Sequence, residues 1–398
     1  MANTASSKFY ITTPAYYPND VPHIGHAYTT IATDTVARWQ RMKLGAGNVL
    51  FVTGLDEHGS KIEKAAAEKK VSPQKFVDDM AVAYKSLWKL LNISYDIFRR
   101  TSDKYHVKFV TELFERISKA GDIYKAEYEG WYCMPCESFW TDFQLKDGKC
   151  PTCGRAVEKL TEPAYFFKLS KYQDKLLKLY EDNPQFISPE FRKQETINRV
   201  KEGLKDLCVT RAKVKWGVQV PGDPNLTIYV WIDALPFYIS ALEPPSETFE
   251  RFWPPDVQTM AKEIFWFHVV IWPAILMSAG YELPKREFAH GWLTIGGQKM
   301  SKSLGNAIDP VYLLKKYTAD ALRFGLIRET SFGSDGDFSE DALKTRINNE
   351  LVANYSNLFY RVTSFIEKNF DGKVPEGKMT ERENALVDRT RETAAKVE

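Results

Sequence analysis

The strongest constraint on this chain is the order of its first patterned segments. Lys8 to Thr13 (KFYITT) alternates as a strand and breaks at Pro14, and Ile24 to Leu44 has helical character after a loop rich in Pro, Tyr and Asn. Val49 to Thr53 (VLFVT) is a second strand. Strand, helix and strand in that order open a parallel sheet. Ser72 followed by Pro73 reads as the N-cap and first residue of a helix ending near Asn92, and a further helix starts near Ser102 and stops before Gly121. The region up to residue 121 is therefore expected to be doubly wound α/β.

From Asp122 to about Val220 the pattern changes to short strands, cysteine pairs and two helices, which reads as an insertion. The apolar stretches Leu226 to Ser240 (LTIYVWIDALPFYIS) and Ile264 to Met277 then restore buried sheet and helix. Past Pro310 the chain turns helical. Ser339 is a plausible N-cap for a long helix to Phe370, and Thr380 with Glu383 forms a capping box for another. A chain of 398 residues exceeds what one core accommodates. The expected division is 1–121 and 225–290 as two halves of a nucleotide-binding domain, 122–224 as the insertion, 291–338 as a loop-bearing connection and 339–398 as a helical tail.

A net charge of +2 means that any nucleic-acid binding must rest on local basic patches. The opening MANTASSK has neither an apolar core nor an arginine-rich amphipathic pattern. The most apolar stretch, Ile264 to Met277, contains His268 and Pro273 and is too short for a bilayer. These features predict a soluble cytoplasmic protein with no membrane association.

Cys133, Cys136, Cys150 and Cys153 form two CxxC pairs, while Cys208 stands alone. Disulfides are disfavoured in the cytosol. Paired CxxC turns bring four thiolates around one zinc ion at about 2.3 Å each, and four sulfurs close the coordination shell, so the expected Zn²⁺ is structural.

Two further motifs carry chemistry. In PHIGHAY, residues 22–28, His23 and His26 are three apart where a loop enters the first helix, so both rings project from one side with Gly25 between them. The unsatisfied N–H groups of a helix N-terminus suit phosphate. In GGQKMSKSLG, residues 296–305, Lys299 and Lys302 offer two ammonium groups on a glycine-flanked loop, with Ser301 and Ser303 between and beside them. Such a loop can clamp a polyanion.

HIGH at 23–26 and KMSKS at 299–303, on two halves of a split nucleotide-binding fold, resemble the signature pair of class I aminoacyl-tRNA synthetases. TTPAYYPNDVPHIGH, VTGLDEHG, EGWYCMPCESF, VWIDALPFYIS, FWFHVVIWPAIL and GGQKMSKSLGN narrow the resemblance to the methionyl-tRNA synthetase family. It implies a class I Rossmann-like doubly wound parallel sheet, split by a zinc-knuckle connective insertion and followed by an incomplete α-helical, anticodon-binding bundle. Residues 291–338 then correspond to the KMSKS and stem-contact region. The insertion is too small for the editing domain of related synthetases.

The resemblance implies ATP-dependent formation of methionyl-adenylate and transfer of the methionyl group to the 3′ end of tRNA(Met). It assigns His23, Gly25, His26, Lys299, Ser301, Lys302 and Ser303 to ATP, which arrives with Mg²⁺. It assigns His268 and Tyr238 to the methionine sulfur, Ala15, Tyr17, Trp231, Ala234, Leu235 and Ile264 to the pocket wall, and Asp56 to the substrate ammonium. Arg211 matches an arginine near the acceptor end of tRNA, and Asn357 and Arg361 match a helix that meets the anticodon. The chain is expected to be monomeric.

Ala261 and Glu263 stand where the family more often has Gly and Asp, and Leu235 where it often has Pro. Alternative readings are another HIGH-type nucleotidyltransferase, a class I synthetase of different specificity, or a non-catalytic tRNA-binding relative.

Overall fold

The computed structural model describes residues 8–133, 138–140, 145–150, 154–299 and 308–397. The chain forms two compact units, 1–339 and 340–398.

The first unit is built on a parallel sheet. Strands β1 (Phe9–Tyr16), β2 (Val49–Leu55) and β3 (Ile97–Arg100) lie beside Val257–Ala261, Glu287–His290 and Ile187–Ser188. The order is β3, β2, β1, then 257–261, 287–290 and 187–188, and each pairing is parallel. Alternation along the strands feeds both faces. Ile11 and Phe51 pack with Ala37 on one side, while Tyr10, Leu50 and Val52 join Phe109 and Leu113 on the other. All of β2 is buried, as expected of a parallel strand covered by helices on both faces.

Helix α1 (Ile24–Leu44) occupies the span predicted for it. Helix α2 is Ser60–Glu68, and α3 is Pro73–Leu90, capped by Ser72 Oγ accepting from Lys75 N at 3.2 Å. Helix α4 is Lys104–Lys119.

One boundary differs from expectation. β1 runs through Pro14 to Tyr16, and its register with β2 shifts between Thr12 and Ala15, so the proline without an N–H sits where the ladder is interrupted. Gly54 is required on β2, because a Cβ there would lie 1.9 Å from the Arg99 carbonyl oxygen of β3.

Strand β4 (Ile123–Cys133) opens the inserted region and pairs antiparallel with Glu158–Phe167 and Ser138–Trp140. Ile187–Ser188, between the helices Gln173–Asp182 and Lys193–Lys201, returns to the edge of the parallel sheet beside Glu287–His290. A two-residue strand carries no periodicity that a sequence can reveal.

The helix Ala319–Glu329 is tied to α1 by charge. Arg323 Nη2 lies 2.6 Å from Asp34 Oδ2, and Ser94 donates from its backbone N at 2.7 Å to Asp34 Oδ1. Asp34 is fully buried, and despite burial these partners hold its pKa below the usual carboxylate value.

The second unit is helical, with Glu340–Arg346, Ile347–Ser356 and Asn357–Phe370 in succession and then Glu381–Val397. Thr380 N donates to Glu383 Oε2 at 2.8 Å, forming the expected cap. Leu358, Phe359, Phe365 and Leu386 are exposed. Among the described residues, no helix is long and apolar enough to cross a membrane.

Candidate active site

A cavity of about 940 Å³ opens at the carboxyl ends of β1 and β2. This is where an open parallel sheet leaves a crevice for ligand. His23 caps α1: its Nδ1 accepts from Gly25 N at 3.1 Å, and His26 Nδ1 accepts from His23 N at 3.1 Å. The rings stack with centroids 3.9 Å apart, and both line the cavity with Gly25. Because each Nδ1 accepts, a neutral ring carries its proton on Nε2 and is a donor there. The cap thus presets two N–H donors beside a helix N-terminus.

The far end of the cavity is apolar. Trp231 and Ala234 come from the helix Val230–Ala234, and Tyr238 comes from Phe237–Ser240. Ala15, Tyr17, Leu235, Ile264 and His268 also line it. Trp231 stacks on Phe267 with centroids 3.8 Å apart and planes 10° from parallel. His268 lies in a π-helical stretch, Phe267–Ile271, an interruption often found at functional sites.

Tyr238 Oη stands 2.6 Å from His268 Nε2, and His268 Nδ1 is 3.0 Å from the Ile264 carbonyl oxygen. Burial lowers the His268 pKa to about 4, so the ring is neutral at pH 7. Its Nδ1–H then donates to Ile264 and its Nε2 accepts from the Tyr238 hydroxyl.

Asp56 follows β2 and is 8% exposed, with Oδ1 lacking a hydrogen-bond partner among the described residues. Burial first, and then the Asp233 charge, push its proton affinity well above that of an ordinary aspartate. Such an oxygen is suited to a cation brought in by a ligand.

The tRNA synthetases class I (M) family model matches residues 9–161 and 157–363. The chain is 55% identical over 370 residues to a methionine–tRNA ligase of Caldanaerobacter subterraneus subsp. tengcongensis, covering 92% of this chain and 58% of that protein. Against the Thermotoga maritima methionine–tRNA ligase the identity is 50%, covering 92% and 59% respectively. A structure of Mycobacterium tuberculosis methionyl-tRNA synthetase in complex with methionyl-adenylate superposes with a TM-score of 0.89 at 44% identity, covering 98% of this chain and 79% of that one.

The chain belongs to the methionyl-tRNA synthetase family. It has the class I synthetase fold and spans 58% to 59% of the length of these curated relatives.

Against that family background, Arg211 lies on the cavity lining, its guanidinium 4.0 Å over the Tyr229 ring. Ala261 and Glu263, two of the three positions expected to depart from the family pattern, also line it, and Glu263 Oε2 accepts from Trp292 Nε1 at 2.6 Å. Sequence reading missed His58, Trp216, His290 and Trp292, which also line the cavity. His58 lies within the quoted family stretch VTGLDEHG and Trp292 four residues before GGQKMSKSLGN, so those motifs were the available signal.

Lys299 pairs through its backbone with Thr294 across a hairpin whose Gly296 and Gly297 have φ of 58° and 73°. Two successive positive φ values suit a tight hairpin turn. Ser301, Lys302 and Ser303 lie outside the described residues.

In the inserted region Cys133 and Cys150 are buried, whereas Lys146 to Lys149, directly before Cys150, are exposed. Gly154 N donates to the Cys150 carbonyl oxygen at 2.8 Å. Cys136 and Cys153 lie outside the described residues. In the helical unit Asn357 and Arg361 are both exposed, four residues apart on Asn357–Phe370.

Proposed function

We propose that this chain carries the catalytic part of a methionine–tRNA ligase, which activates L-methionine with ATP to methionyl-adenylate and then transfers the methionyl group to the 3′ end of tRNA(Met). The observation that carries this reading is one cavity holding both a buried Asp56 carboxylate oxygen that has no hydrogen-bond partner among the described residues and the neutral Tyr238–His268 pair. A ligand satisfying both ends has a cationic group and a weakly accepting, mostly apolar side chain, as methionine does. The methionyl-adenylate named for the M. tuberculosis enzyme has this amino-acid half joined to AMP.

In the first step a methionine carboxylate oxygen bonds to the α-phosphorus of ATP, and the bond from that phosphorus to the pyrophosphate oxygen breaks. The carboxylate is already nucleophilic, so the protein acts by positioning it and stabilising phosphate charge. His23 and His26, with Gly25 between them, serve the adenine side and the phosphates; Lys299 and Lys302 serve the β and γ phosphates, with Ser301 and Ser303 flanking Lys302 in the sequence. Mg²⁺ bound with ATP supplies further neutralisation on phosphate oxygens. Asp56 binds the ammonium. The Tyr238 hydroxyl is the hydrogen of its pair that rotation can redirect to a thioether sulfur. In the second step a ribose hydroxyl at the tRNA 3′ end attacks the acyl carbon and AMP leaves, with Arg211 beside the entering strand.

Cys133, Cys136, Cys150 and Cys153 would hold a structural Zn²⁺. Burial of Cys133 at the end of β4, and of Cys150 directly after the exposed residues Lys146 to Lys149, supports this. Asn357 and Arg361 would meet the anticodon, with the domain division given by the motifs. We take the chain to act as a monomer in the cytoplasm. ATP–pyrophosphate exchange measured with each of the twenty amino acids tests the reading: methionine alone should drive it strongly, and strong exchange with leucine or cysteine but not methionine would reject it.

A further inference from the structure

Asp233 lies on the same short helix as Trp231 and Ala234, yet it stands behind the cavity wall, 1% exposed. Two imidazoles from distant parts of the chain meet its carboxylate. His58 Nδ1 is 2.7 Å from Oδ2, and His106 Nε2, from α4, is 3.0 Å from Oδ1. His106 Nε2 is also 3.0 Å from the Asp233 carbonyl oxygen, and its Nδ1 is 2.6 Å from Ser240 Oγ. One tautomer of His106 satisfies all of these contacts: Nε2–H donates to Asp233 and Nδ1 accepts from the Ser240 hydroxyl.

The network joins parts that must cooperate on one small ligand. His58 is two residues beyond Asp56, whose carboxylate faces the cavity. Asp233 and Ser240 belong to the two short helices that present Trp231, Ala234 and Tyr238. An amino acid bound by both ends requires a set distance between the carboxylate that takes its ammonium and the wall that takes its side chain.

We propose that Asp233, with His106 and Ser240 behind it, is a positioning residue for methionine: bonded to His58, it sets the spacing and orientation between the ammonium site at Asp56 and the side-chain wall at 231–238. The inference rests on the functional reading above and deepens it.

The local charges agree with this role. Burial opposes a charge on His58, but the Asp233 charge and hydrogen bond outweigh it and raise its pKa, the direction that favours pairing with the buried carboxylate. Glu57, the other nearby carboxylate, is held separately by Arg100 Nε at 2.7 Å and by the Ser102 hydroxyl. Asp56 is left to the incoming ligand. Asp233 does not line the cavity, so its effect should appear in how well methionine fits and not in the phosphate chemistry.

The test uses the full chain in methionine-dependent pyrophosphate exchange with Asp233→Asn, His106→Ala and His106→Gln. We expect Asp233→Asn and His106→Ala to raise the methionine KM at least tenfold, with kcat changed less than threefold, ATP KM unchanged and the preference for methionine over norleucine reduced. His106→Gln, whose amide N–H can occupy the place of Nε2–H, should restore most of the methionine KM. Where Asp233→Asn fails to fold, the contrast between the His106 variants decides. A methionine KM within twofold of wild type in the soluble variants, or a loss of kcat and thermal stability alone, would overturn the proposal and leave the network a purely structural support. Absence of methionine-dependent exchange in the wild-type chain would instead reject the underlying function, and the inference with it.

Discussion

The Tyr238 hydroxyl donates to Nε2 of His268 across 2.6 Å, while the other nitrogen of that imidazole is committed to the Ile264 carbonyl. The pair therefore holds one hydrogen that rotation can redirect into the cavity, and it belongs to the tyrosine. Size alone separates similar aliphatic side chains by only about 1 to 3 kcal/mol per methylene, so a movable donor adds a means of telling a thioether from a methylene.

Tyr238→Phe should lower the preference for methionine over norleucine about fivefold to tenfold, the value of one neutral hydrogen bond at roughly 1 kcal/mol. Competition between the two amino acids in pyrophosphate exchange measures it. An unaltered preference would show that this hydroxyl does not read the sulfur.

Asp56→Asn keeps the shape of the side chain and removes its charge. The methionine KM should rise about a hundredfold, equivalent to roughly 3 kcal/mol for truncating one partner of a buried charge pair. The ATP KM should stay within about twofold. Equal rises in both constants would place Asp56 outside the ammonium site.

Burial lowers the pKa values of His268 and His290 to about 4. In the unfolded chain both titrate near 6.5, so between these values the unfolded state binds more protons than the folded one. Their contribution is complete above pH 6.5 and is lost as pH falls toward 4, about 3 kcal/mol apiece. His58 has a raised pKa, so its contribution is complete below 6.5 and is lost on the alkaline side. Urea unfolding at pH 7 and pH 5 should show wild type losing more stability on acidification than His290→Gln. An identical loss in both would contradict the assignment of a neutral buried ring.

Cys150→Ser should reduce bound zinc below one equivalent per chain and loosen the inserted region before it affects adenylate chemistry, because binding energy at a structural zinc is folding energy. Elemental analysis together with limited proteolysis checks both parts. Wild-type protein purified without chelator and free of zinc would remove the metal from the account.

Much of the local architecture was legible in the sequence. The period of residues 24–44 located α1, Ser72 with Pro73 marked the start of α3, and the spacing of His23 and His26 placed their stacked rings on one turn. These are short-range properties, set by backbone geometry and caps within a few residues. Resemblance to family motifs then nominated Asp56, Trp231, Tyr238 and His268, and the fold brought them to one cavity. Tertiary structure alone decided that β1 continues through Pro14, because the neighbouring strand tolerates a skipped ladder position there. It also carried Ile187–Ser188 to the sheet edge and brought His58 and His106 to Asp233, separated from them by 175 and 127 residues. No periodicity announces such a meeting: a buried carboxylate becomes tolerable only when chain closure delivers its partners, and that closure depends on the packing of the whole unit.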